Sequence, residues 1–101
     1  MKIKEILETE FESHVDEKSG IEHNSKIYTV HDYYRIHFLI KDEIISFIHY
    51  RNESIEINAP IHDIYWLILC IKNQSPHTKF IKVFNNISLK REFKINNILN
   101  D

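Results

Sequence analysis

The chain has 101 residues, 43% hydrophobic and 28% charged, with a net charge of −2. That balance belongs to a globular protein and excludes a disordered one, and the length predicts a single domain over residues 1–101. One cysteine, Cys70, excludes an internal disulfide framework, and one glycine, Gly20, cannot build a phosphate-cradling loop or a dinucleotide fingerprint.

No cofactor is therefore expected, and nucleotide-dependent catalysis is disfavoured. No apolar run reaches the roughly 18 residues that a membrane span needs. Met1-Lys2-Ile3-Lys4-Glu5 does not lead into a signal-peptide core. With the unpaired cysteine, these features predict a cytoplasmic protein without a membrane partner. Isoleucine (19), lysine (10) and asparagine (9) are abundant. Their AT-rich codons associate the sequence with AT-rich genomes, phages and mobile elements. Charge is polarised, at −4 over residues 1–25 and +4 over residues 72–101.

Residues 2–19 read as a first helix. Ile3, Ile6, Leu7, Phe11 and Val15 fall on one stripe, with Glu5, Glu8, Glu12, Asp16 and Glu17 around it. Ser19-Gly20 then reads as a stop, with Gly20 in the left-handed conformation at the helix end. From Lys26 the period becomes two. Tyr28, Val30, Tyr34, Ile36, Phe38 and Ile40 alternate with Thr29, His31, Arg35 and His37. This predicts one long bent strand with an irregularity near His31-Asp32, the alternative being two strands meeting there.

Lys41-Asp42 reads as a turn, residues 44–50 as a strand, and residues 54–58 as a short third strand. The loop lengths set Phe38 opposite Ile45, Ile36 opposite Phe47 and Phe47 opposite Ile57. Tyr34, Ile36, Phe38, Ile45, Phe47, Ile55 and Ile57 then share one apolar face, to which His49 also points. The other face carries Arg35, His37, Leu39, Ile44, Ser46, Ile48, Tyr50, Ser54 and Glu56, a mixture that suits a protein interface.

Residues 58–73 hold the strongest signal. An Asn-Ala-Pro opening precedes eight consecutive apolar residues, Ile64 to Ile71, which predict a central helix covered by the sheet. Residues 79–84 and 87–95 read as a hairpin around Asn85-Asn86, with a helix for residues 88–99 as the competing reading. The fold class that results is α+β: an N-terminal helix, a three-stranded antiparallel meander, a central apolar helix and a C-terminal β-hairpin.

Seven histidines call for a metal check. No pair stands four apart on a predicted helix, and no zinc-type Cys/His spacing occurs, so no metal is expected. His49 reads as a buried neutral histidine, and no catalytic residue is assigned. The helix–three strands–helix order matches the double-stranded-RNA-binding fold in outline only. Residues 58–63 carry no positive charge where that fold grips phosphates, so no family is assigned.

Elimination leaves a small non-catalytic binding protein, a stoichiometric inhibitor of the immunity or phage anti-defence type. Its candidate partner-binding residues are Glu5, Glu8 and Glu12 on the acidic helix and Arg35, His37 and Tyr50 on the outer face. The expected target is a protein, and a basic, nucleic-acid-handling one suits the acidic helix. The alternative is a nucleic-acid-binding regulator using Lys79, Lys82, Lys90, Arg91 and Lys94. A homodimer formed through a meander edge stays open.

Overall fold

The computed structural model describes residues 2–31, 36–50, 53–73 and 79–99, with side chains described to Lys94. It is an α+β protein whose chain divides into two compact units, residues 1–62 and 63–101.

The first unit is a helix and a five-stranded antiparallel sheet. Helix α1 (Ile3–Phe11) is followed by β1 (Val15–Ser19), β2 (Ser25–Val30), β3 (Ile36–Lys41), β4 (Ile44–Tyr50) and β5 (Glu53–Pro60). The strands lie side by side in sequence order. The meander thus has five strands where the sequence reading gave three.

The first extra strand follows from where helix α1 ends. The predicted 2–19 helix ends at Phe11, because Glu12 turns left-handed at φ 50 and returns its N–H to the Glu8 carbonyl. That cap is usually a glycine's, so the sequence carries no signal for it. Val15 then becomes the inward residue of a strand paired with β2, opposite Val30. Ile3, Leu7, Phe11 and Val15 are all buried, so the stripe marked the buried side correctly while missing the change of period.

Gly20 sits in the β1–β2 connection, and its φ is not positive. It is needed for space: a Cβ there would meet the Ser25 hydroxyl at 2.2 Å. Its N–H donates to the Ser25 carbonyl at 2.9 Å.

The long bent strand is overturned in favour of its alternative. β2 and β3 are separate antiparallel strands, with Tyr28 opposite Phe38 and Val30 opposite Ile36. The next turn is Asp42-Glu43, with φ 51 and φ 63, the two positive values of a type I′ hairpin. It sets Lys41 opposite Ile44 and Ile40 opposite Ile45.

A bulge at Ser46 then decides the sheet's two faces. After it, Leu39 faces Phe47 and Phe38 faces Ile48. One extra residue reverses every later side chain on that strand. Phe47 and His49, expected inside, are exposed, whereas Ile48 and Tyr50, expected outside, are buried. Phe47 pairs with Glu56, not Ile57.

The inner face carries Val15, Tyr28, Val30, Ile36, Phe38, Ile40, Ile45, Ile48 and Tyr50, all buried. Helix α1 packs on it through β1 and β2, with the Phe11 and Phe38 rings 6.4 Å apart.

The second unit is helical. A 3-10 turn (Ile61–Asp63) leads into α2 (Ile64–Lys72), followed by α3 (Phe80–Phe84) and α4 (Ile87–Leu99). The central helix begins later than expected, because Asn58, Ala59 and Pro60 complete β5. Ile64, Trp66, Leu67, Ile68, Cys70 and Ile71 are buried, while Tyr65 and Leu69 remain exposed at i, i+4 spacing.

The C-terminal hairpin is overturned in favour of the competing helix. Asn86 caps α4, its side-chain oxygen accepting from the Leu89 N–H at 3.0 Å. Strand-like alternation in residues 87–95 does not outweigh this cap and the packing of individual side chains. Trp66 donates its indole N–H to the Phe84 carbonyl at 2.9 Å and meets Phe93 at 5.6 Å between ring centroids.

Candidate functional site

With helix α1 on the inner face, the opposite face of the sheet is the one whose side chains meet solvent. Two rows cross it. Asp16, Thr29, His37, His49 and Ser54 stand opposite one another from β1 to β5, followed by Lys18, Ile27, Leu39, Phe47 and Glu56. The first row is polar. Thr29 Oγ1 and His37 Nδ1 are hydrogen-bonded at 2.9 Å, and the His37 and His49 rings lie 6.0 Å apart.

The second row is apolar at its centre and charged at both ends. Ile27 and Leu39 are half-buried, Phe47 is 40% exposed, and Ile44 nearby is 44% exposed. Such a sheet face offers an aromatic and aliphatic centre with a polar border.

At the β1–β2 end of this face, two more side chains converge on Asp16. The ladder extends one pair past Val15 and Val30, as the His31 N–H donates to the His14 carbonyl at 3.2 Å. Strand alternation puts His14, Asp16 and His31 on the same side. His14 Nε2 lies 3.0 Å from Asp16 Oδ1, and His31 Nε2 lies 2.5 Å from Asp16 Oδ2. The two imidazoles stack at 5.4 Å and 16°. Glu8 Oε2 stands 4.0 Å from His14 Nδ1. The hydrogen bond from His31 lowers the Asp16 carboxyl from its ordinary value; desolvation opposes it, and His14 adds to the lowering.

The second unit contains an apolar pocket of about 450 Å³, lined by Trp66, Leu69, Cys70, Asn73, Val83, Leu89, Glu92 and Phe93. Burial pushes the Cys70 thiol up to about 12, which makes it a poor nucleophile. Nearby, the buried Asp63 carboxylate accepts from Lys90 Nζ at 2.7 Å, and Lys94 Nζ stands 3.8 Å away.

The expected partner-binding residues fall on separate elements. Glu5, Glu8 and Glu12 lie on α1 and its C-cap, with Glu5 paired to Lys2 at 3.7 Å and Glu8 turned toward His14. His37 is on the open face, as expected. Tyr50 is 5% exposed on the inner face and is corrected from surface to core, a consequence of the Ser46 bulge. Arg35 lies outside the described residues.

Of the five expected nucleic-acid-binding cations, Lys90 turns to Asp63, Lys94 stands 3.8 Å from it while remaining exposed, and Lys79, Lys82 and Arg91 are exposed. These residues belong to α3, α4 and the N-cap of α3, not to a hairpin.

Sequence reasoning missed the His14–Asp16–His31 cluster. The expected 2–19 helix includes His14, and the expected long strand carries His31 on the same side as His37. The available signal was His-x-Asp, the spacing that puts two side chains on one face of a strand. No protein-family model, curated protein or solved structure matches the chain.

Proposed function

We propose that this is a small non-catalytic binding protein, a stoichiometric inhibitor of the immunity or anti-defence type, which receives its partner protein on the open sheet face. The observation that carries the reading is the row Ile27–Leu39–Phe47 between Lys18 and Glu56. Phe47 and Ile44 expose aromatic and aliphatic surface on a rigid five-stranded support, where a partner gains contact area at little entropic cost. The polar row through Thr29, His37 and His49 supplies directional hydrogen bonding beside it.

A Phe47→Lys variant tests the reading. Affinity capture from cells of origin, with nuclease present, is expected to retain one dominant protein on the wild type and lose it on Phe47→Lys. A partner held equally by both chains overturns the assignment of the face. Capture that collapses with nuclease moves the function to Lys79, Lys82 and Arg91, as the nucleic-acid alternative requires.

A further inference from the structure

We propose that His14, Asp16 and His31 form a binding site for one divalent transition-metal ion of the zinc class, at the β1–β2 end of the open sheet face. Two imidazole nitrogens and a carboxylate oxygen form a ligand set that suits such an ion. The three ligand atoms lie within 4.8 Å of one another. Tetrahedral zinc with bonds near 2.1 Å brings its ligand atoms to about 3.4 Å, so closure takes at most about 1.4 Å of movement. Both rings are exposed and can supply it by side-chain rotation.

The backbone already does the costly part. All three residues are fixed on one side of a two-stranded ladder, and the His31-to-His14 main-chain bond closes it beside the site. Both histidines present Nε2 to the same carboxylate, so an ion bound there replaces the protons between nitrogen and oxygen. Glu8 Oε2, at 4.0 Å, is placed to receive the Nδ1–H of His14, which leaves Nε2 as the metal-binding lone pair. Three protein ligands leave a fourth position for water.

Isothermal titration of the full chain with zinc chloride, in a non-chelating buffer at pH 7.5, tests the site. One equivalent is expected to bind, with perturbed ring 15N shifts confined to His14 and His31. His31→Gln and Asp16→Asn should each weaken binding at least about tenfold. Both substitutions are at solvent-accessible side chains, and circular dichroism checks that each variant is folded. His23→Gln and His62→Gln should bind as the wild type does. Absence of stoichiometric uptake overturns the proposal. So does uptake that survives in folded His31→Gln and Asp16→Asn, which would place the ion elsewhere.

Discussion

Replacing Lys90 by Met should destabilise the protein by about 2 kcal/mol. Asp63 is 5% exposed, and its carboxylate rests on Lys90 Nζ at 2.7 Å. Removing one partner of a fully buried ion pair costs about 3–5 kcal/mol, because the other charge stays desolvated. Two features reduce that figure here. Lys90 is itself 26% exposed, and Lys94 stands 3.8 Å from the other carboxylate oxygen as a partial substitute.

Lys94→Met, which removes only the longer contact, should cost about 0.5 kcal/mol. Asp63→Asn removes the charge but keeps the shape, and both lysines can then turn to water, for a cost of about 1 kcal/mol. In the double variant Asp63→Asn/Lys90→Met, the losses should fall short of additivity by about 1 kcal/mol or more. Urea denaturation followed by circular dichroism reads all four. With a slope of about 1–1.5 kcal/mol per molar, the Lys90→Met midpoint should fall by roughly 1.5 M. Equal costs for Lys90→Met and Lys94→Met, or full additivity in the double variant, would mean that Lys90 does not hold Asp63. The result also bears on the basic end of the chain, since a lysine that holds Asp63 is costly to divert to a phosphate.

The bulge at Ser46 predicts opposite outcomes for neighbours. Ile48→Ala should cost about 2–5 kcal/mol in a denaturant titration, and Phe47→Ala less than about 1 kcal/mol; the reverse order would restore the unbulged register. Glu12 and Glu43 occupy left-handed backbone at φ 50 and φ 63, so Glu12→Gly and Glu43→Gly should each stabilise by about 1 kcal/mol, read as a rise in Tm. At pH 8 a thiol raised from 9 to about 12 has roughly a thousandfold less thiolate. Iodoacetamide should therefore modify Cys70 slowly in the native protein and rapidly in urea, and equal rates would contradict the burial.

Much of the architecture's inventory is written in the local pattern of residues. The hydrophobic stripe of α1 marked Ile3, Leu7 and Phe11 as buried, the Ile64 to Ile71 run located α2, and β4 fell where its alternation put it, at Ile44–Tyr50. These are local properties: period and burial leave their mark on consecutive residues. The α+β class followed from them.

The remaining choices depend on folding as a whole, because they turn on partners distant in sequence. Residues 15–19 became a strand because β2 offers Val30 opposite Val15, and no glycine announced the left-handed turn at Glu12. Residues 87–99 became a helix because Trp66 meets Phe93 and Asp63 meets Lys90, pairings that strand alternation cannot show. One extra residue at Ser46 exchanged Phe47 and His49 for Ile48 and Tyr50, turning an expected core into the candidate interface. His14, Asp16 and His31 met for the same reason. A side chain's direction is local, but the ladder that sets two histidines over one carboxylate spans fifteen residues between Asp16 and His31.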